Sequence, residues 1–259
     1  PERAASRHYR RWAVESAALD LALRQADTDL GAVLGRSYDP VRFVVSTRLD
    51  GDPPTADRVH KFLDTDPSLA FKLDPTHDWT AALVEELAET GAVRVVDLKA
   101  AYEGTTVDNP PDPELYRLVL DGFPDAVVED PGFTEETRPL FDGAEGRLSW
   151  DYPITGVESV RELPVEPSWL NVKPSRFGTV RSLLATIEYC EERGIRLYGG
   201  GQFELGAGRR HIQALASLFY PDGPNDVAPR GYNDPEVSGD LPGSPLAPGV
   251  PRGLDWRAE

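Results

Sequence analysis

Residues 7–26 bring Trp12, Val14, Ala17, Ala18, Leu21 and Leu23 onto one helical period, which predicts an amphipathic helix. A different rhythm starts at Val41. Seven short runs read as strands: Val41–Thr47, Leu69–Leu73, Ala92–Leu98, Asp125–Glu129, Arg147–Asp151, Trp169–Lys173 and Ile195–Tyr198. Helical periods separate them, at Ala56–Leu63, Trp79–Thr90, near Pro113–Leu120, near Thr134–Phe141, after Val157, at Gly178–Glu192 and at Arg209–Leu218.

Apolar strands alternating with helices predict an α/β fold with a parallel sheet and right-handed crossovers. Seven repeats favour a closed TIM-type barrel, modified to a (β/α)7β-like form, over residues 39–220. An open doubly wound sheet is the alternative, but no G-x-G-x-x-G follows the first strand. Residues 1–38 read as a helix leading into the barrel. Residues 221–259 are rich in Pro and Gly and read as an ordered wrap or a loose tail. An eighth strand would fall near Asn225–Pro229.

Composition narrows the partners. The chain has 259 residues with Asp+Glu 44 against Lys+Arg 27, a net charge of −17. Such a chain repels phosphate backbones and anionic membranes, which argues against nucleic acid and membrane partners. Most of the acid serves solubility. Cys190 is the single cysteine, so no intrachain disulfide forms, and a reducing cytoplasm is expected. No run approaches the roughly 18 apolar residues of a membrane span, and no signal peptide opens the chain. The absence of Met and the start at Pro1-Glu2-Arg3 read like the middle of a longer chain. A homo-oligomer is compatible with the pattern.

Barrel active sites sit at the C-terminal ends of the strands. There the second run carries Lys72 and Asp74, the third Asp97 and Lys99, the fourth Glu129 and Asp130, the fifth Asp151, and the sixth Lys173. Three consecutive strands ending in carboxylates raise one another's pKa values. A hard divalent cation such as Mg²⁺ relieves that, with Asp97, Glu129 and Asp151 as ligands. Lysines beside a cation suit proton transfer. The alternative is that these residues are ion pairs closing the barrel mouth. Arg176 is a candidate for a substrate carboxylate. Gly199–Gly201, before Gln202 and Glu204, allows close backbone approach at the mouth. His8, His60, His77 and His211 are too scattered to suggest a metal cluster.

This succession of strand-end residues resembles the enolase superfamily, closest to its muconate-lactonizing and o-succinylbenzoate-synthase-like branch. R-W-A-V-E-S-A-A-L-D-L-A-L at Arg11–Leu23 resembles the helix running from the capping domain into the barrel. F-K-L-D at Phe71–Asp74 resembles the strand-two lysine motif, and V-E-D-P at Val128–Pro131 the strand-four ligand motif. L-N-V-K-P-S-R-F-G at Leu170–Gly178 resembles the strand-six lysine motif and is the most specific of the four. The resemblance implies proton abstraction α to a carboxylate in a small substrate, with Mg²⁺ as Lewis acid. By position it implies Asp97, Glu129 and Asp151 as metal ligands and Lys173 and Lys72 as the catalytic lysines. Lys99, Asp74, Arg176, Gln202 and Glu204 would then face substrate. The chain would carry only a remnant of the capping region.

Three positions depart from the family. Asp74 stands at the second lysine of K-x-K, Lys99 at the asparagine of D-x-N, and Tyr152 follows Asp151 where the family has Glu. The Asp74 and Lys99 changes read as a paired exchange, in which Lys99 pairs with Asp74 or sets its ammonium where the metal would lie. One remaining base suits an elimination better than a racemisation, which prefers two. Two other functions stay open: a barrel that has lost catalysis and serves as a binding or scaffold protein, and a Schiff-base lyase using Lys173.

Overall fold

The computed structural model describes residues 2–102, 104–105, 107–237 and 239–257. Residues 1 and 258–259, the outer limits of the first and last segments expected above, lie outside them. Helix α1 (Glu2–Gln25) is followed by the short α2 (Leu30–Leu34). Asp29 caps α2 by accepting from Ala32 N, and Gly35 ends it in the left-handed region at φ 65°. The barrel unit then runs β1 (Val45–Thr47), α3 (Asp57–Thr65), β2 (Phe71–Leu73), α4 (Ala81–Glu89), β3 (Val93–Asp97), α5 (Pro113–Gly122) and β4 (Val127–Glu129). It continues with β5 (Leu148–Trp150), α6 (Val157–Arg161), β6 (Trp169–Val172), α7 (Pro174–Phe177), α8 (Val180–Arg193), β7 (Arg196–Gly199) and α9 (Ala207–Phe219).

Local chemistry explains most boundaries. Thr80, Asp112 and Thr179 each accept from backbone N–H groups at the start of α4, α5 and α8. Gly194, at φ 68°, stops α8. Two expected elements differ. The helix expected near Thr134–Phe141 is a single 3₁₀ turn, Arg138–Phe141. Thr134 and Thr137 hydrogen-bond each other and the local backbone, which competes with a full α-helix. The helix expected from Gly178 is preceded by α7, because Pro174 suits a first helical position and Gly178, at φ 72°, breaks it.

All seven strands are parallel and pair in chain order, β1 to β7. The seam between β7 and β1 is closed by Asn225 and Asp226 rather than by a regular strand. Asp226 N donates to Gly199 O at 2.7 Å and Val44 N donates to Asn225 O at 2.8 Å. The Asn225 amide adds Gly199 N on its oxygen at 2.6 Å and Arg42 O on its nitrogen at 2.9 Å.

The period-two alternation of the strands sorts side chains into two layers. Val96, Leu98, Val128, Leu148, Leu170 and Val172 join the large core under the helices. Val95, Val127 and Tyr198 form a separate small cluster with Trp169 inside the barrel. The C-terminal segment is an ordered wrap. Leu246 pairs antiparallel with Val41, and a hairpin of β8 (Val250–Arg252) and β9 (Asp255–Arg257) returns Gly253 to Asp29. No helix among the described residues is long and apolar enough to cross a membrane.

Candidate active site

Polar side chains replace apolar ones inside the barrel towards the C-terminal strand ends, where period-two positions turn their tips to one another. The floor is set by Glu129. Its Oε2 accepts from Tyr198 OH and from Asn171 Nδ2 at 3.1 Å, and Tyr198 OH meets Ser149 Oγ at 2.9 Å. These contacts join β4, β5, β6 and β7 across non-neighbouring strands, so they cross the interior. Neither Tyr198 nor Ser149 stands out in the sequence. Asn171 carries one signal, its alternation with Lys173 along the same strand.

Above the floor lie two ionic networks. In the first, Lys72 Nζ donates to Glu129 Oε1 and lies 2.9 Å from Asp97 Oδ2. Lys99 Nζ bonds the same Asp97 oxygen and lies 3.4 Å from Asp74 Oδ1. In the second, Lys173 Nζ is 2.8 Å from Asp151 Oδ2, which also accepts from Tyr102 OH at 2.9 Å and faces Arg176 Nη2 at 3.5 Å. Tyr102 sits in the loop after β3, where no sequence pattern marks it.

Two strand ends use the left-handed region without glycine. Lys99 has φ 57° and Asp130 φ 47°. The turn at Lys99 folds its N–H back to Asp97 Oδ1 at 3.2 Å. The turn at Asp130 lets its two oxygens accept Asp151 N at 2.8 Å and Tyr152 N at 3.1 Å. Asp130 therefore positions Asp151.

Burial and pairing set the charges. Burial penalises the Asp97 carboxylate, but Lys72 and Lys99 outweigh it and hold the group well below the usual range. Lys173 and Arg176 do the same for Asp151 against its burial. Glu129 is different. Burial dominates, Lys72 offsets only part, and the carboxyl is pushed up to about 8. Asp130 is pushed up to about 7 by burial and by its neighbour Asp151. Burial lowers the ammonium of Lys72, yet Asp97 and Glu129 more than restore it, so it stays protonated.

The other expected residues are placed as follows. Arg176 is buried and turned to the protein rather than to the mouth. It donates to Tyr152 O at 2.6 Å and to Tyr102 OH at 3.1 Å, and the Gln202 amide oxygen, oriented by hydrogen bonding, lies 3.0 Å from its Nη2 and Nε. These contacts join it to Asp151 and the loop after β5. Glu204 folds back on its own loop, taking Gln202 N at 2.5 Å and Ser175 Oγ at 3.3 Å. Gly200 is required for packing. A Cβ there would lie 2.7 Å from Asn171 Oδ1 and 2.8 Å from Lys173 Cε. His60 pairs with Glu86 on the surface and His211 is buried in α9, away from the mouth network.

Lys72, Asp74, Lys99, Lys173, Gln202 and Phe203 line a cavity of about 520 Å³ at the mouth. Among the described residues, Asp97, Glu129 and Asp130 bring carboxylate oxygens within 4.8 Å of one another, and Asp151, outside that group, is joined to Asp130 through its N–H at 2.8 Å. The donor set fits a divalent cation. All donors are hard carboxylate oxygens. Asp151 Oδ1 is buried with no hydrogen-bond partner.

Comparison with known proteins agrees with this arrangement. Residues 37–234 match the family model described as "Domain of unknown function (DUF8230) C-terminal domain", and residues 1–33 match its N-terminal counterpart. An N-succinylamino acid racemase from Amycolatopsis sp. is 30% identical over 258 residues, covering 92% of this chain and 67% of the relative. An o-succinylbenzoate synthase from Geobacillus stearothermophilus is 25% identical over 269 residues, covering 95% and 68%. The crystal structure of an enolase-superfamily member from Listeria innocua shares the fold, with a TM-score of 0.68 at 22% identity, covering 91% of this chain and 65% of that one. The chain thus spans about two-thirds of the length of these relatives. With acidic and lysine positions in that order around the barrel and 92% of this chain matched to a racemase, the chain belongs to the DUF8230 family and to the enolase superfamily, in its muconate-lactonizing and o-succinylbenzoate-synthase-like branch.

Proposed function

We propose that this protein is a Mg²⁺-dependent enzyme of the lyase or isomerase class that abstracts a proton α to the carboxylate of a small substrate. The observation that carries the reading is the shared cavity. Lys173 and Lys72 both line it, just past β6 and on β2, which stand four strands apart in the ring and so face each other across the mouth. Asp97, Glu129 and Asp151 lie at the same strand ends.

Asp97, Glu129 and Asp151 would hold the metal, with Asp130 fixing Asp151 through its two backbone hydrogen bonds. The bound cation supplies Lewis-acid polarisation of the substrate carboxylate. Lys173 takes the α-proton at Nζ. Gly200 leaves the room its stem needs, and the amine that accepts the proton becomes the ammonium that Asp151 holds at 2.8 Å. Lys72, kept protonated by Asp97 and Glu129, serves as a fixed positive charge for oxygen that gains negative charge. Asp74 supplies no base on the β2 side. A single base favours elimination over racemisation. The lone cysteine, buried in α8, supports a reducing compartment such as the cytoplasm.

The test is exchange of the α-proton. The protein is incubated in D₂O with Mg²⁺ and a panel of N-acyl amino acids and β-hydroxy dicarboxylates, and deuterium uptake and alkene formation are followed by NMR. Uptake that requires metal supports the reading. No exchange on any panel member, together with borohydride trapping of a keto acid on Lys173, transfers the protein to imine chemistry.

A further inference from the structure

We propose that Lys99 is a tethered cation that holds Asp97 until a metal ion displaces it, and that Asp74 is the second seat to which its ammonium moves. This rests on the metal-centre reading above.

Asp97 is fully committed to its own chain. Its Oδ2 faces two ammonium groups, Lys72 at 2.9 Å and Lys99, and its Oδ1 accepts Lys99 N. A dication binding Asp97 would meet both ammonium charges at close range in a poorly solvated site, where repulsion is weakly screened. One of the two must give way. Lys72 has nowhere to go: its side chain is 1% exposed and it also holds Glu129. Lys99 stands at the cavity wall with its side chain 12% exposed.

The alternative seat is already built. Asp74 Oδ1 is buried, has no hydrogen-bond partner, and lies 3.4 Å from Lys99 Nζ. Such an orphaned carboxylate oxygen is costly unless a donor visits it. Its other oxygen meets Arg48 Nε at 3.4 Å. A shift of well under 1 Å brings Lys99 Nζ to ordinary charge-assisted hydrogen-bond distance of Asp74, about 2.8 Å. Asp74 and Lys99 are thus one device, and each is the counterpart of the other's departure from the family motifs.

The test is calorimetric titration of the full chain with Mg²⁺ alone, checked with Mn²⁺, each variant's fold being verified by circular dichroism and thermal melting. Lys99→Asn is expected to tighten Mg²⁺ at least tenfold, with Lys99→Gln as the second variant should the first fold poorly. Asp74→Asn, which removes the second seat, is expected to weaken Mg²⁺ at least tenfold. The Lys99→Asn/Asp74→Asn double variant is expected to bind as Lys99→Asn does, since the seat has no use without its occupant. Unchanged affinity in Lys99→Asn, beside a wild type that binds, overturns the inference and leaves the metal centre standing. Equal weakening by Asp74→Asn in both backgrounds also overturns it, because Asp74 would then act on the metal by charge alone. Binding by neither wild type nor Lys99→Asn at millimolar Mg²⁺ overturns the metal centre and the inference together.

Discussion

Lys173 Nζ and Asp151 Oδ2 lie 2.8 Å apart at the mouth of the barrel, and the same oxygen accepts from Tyr102 OH at 2.9 Å. The carboxylate thereby aims the ammonium while Tyr102 and Arg176 hold the carboxylate. Lys173→Ala is expected to lower α-proton exchange by about 10²–10⁴-fold, the usual contribution of a positioned proton-transfer group. Mg²⁺ affinity should survive within a few-fold by calorimetry. Lys173→Arg should not restore exchange, because a guanidinium does not give up its proton. Exchange at the wild-type rate in Lys173→Ala would remove it from the chemistry.

Tyr198 donates to Glu129 Oε2 and shares a hydrogen bond with Ser149 from a fully buried position. Tyr198→Phe keeps the ring and deletes the hydroxyl. It leaves two buried polar groups short of a partner, which should cost about 1–3 kcal/mol in urea-unfolding free energy. The ring packing against Val95 and Val127 is retained, so the loss should come without aggregation. Unchanged stability would mean that Ser149 and Glu129 find other partners.

Asn225 closes the barrel where a strand is missing. Its Nδ2 faces the carbonyls of Arg42, Tyr220 and Gly223, and its Oδ1 accepts Gly199 N. Asn225→Ala should destabilise by about 2–4 kcal/mol, by leaving several buried backbone groups unpaired. Hydrogen exchange should rise first at Gly199 and Val44, the two residues on either side of the seam. Protection there equal to wild type would show the seam to be held by backbone pairing alone.

His211 is buried, and burial lowers its pKa from the ordinary 6.5 more than Asp20 and Asp255 raise it. The folded state therefore keeps the ring neutral at pH values where the unfolded chain binds a proton. Its contribution to stability is fully present above pH 6.5 and declines as the pH falls below that value towards the folded pKa. Asp20, also lowered, loses its contribution only below the ordinary 3.8, outside that window. Glu129 and Asp130, raised to about 8 and about 7, favour the folded state as the pH falls over the same range, so the acid-side loss from His211 is read as the difference between wild type and variant in thermal melts between about pH 5 and 7.5. His211→Gln should remove that loss, so its stability relative to wild type should rise as the pH falls from about 7.5 to about 5. An equal slope in the variant would assign the acid loss elsewhere.

Much of the architecture was legible in the chain. The alternation of apolar runs with helical periods marks seven strands and most helices, because burial under a helix layer leaves its imprint residue by residue. Glu129, Asp97, Asp151, Lys72 and Lys173 are legible too, as polar residues at the ends of apolar strands. The turn of Thr134–Phe141 was not, because a local hydroxyl network there competes with an otherwise helical pattern. Tyr198 and Tyr102 were hidden as well. One looks like an ordinary strand aromatic, the other like a loop residue.

The sequence by itself determined which strand ends carry charge, since each is written next to its own apolar run. Only the tertiary structure decided how those charges are shared. Asp97 meets two ammonium groups, Asp130 serves the backbone rather than the cavity, Arg176 turns inward, and Asn225 stands in for a strand. Each of these depends on distances between residues far apart in the chain, set when the barrel closes, and nothing in the local pattern encodes them.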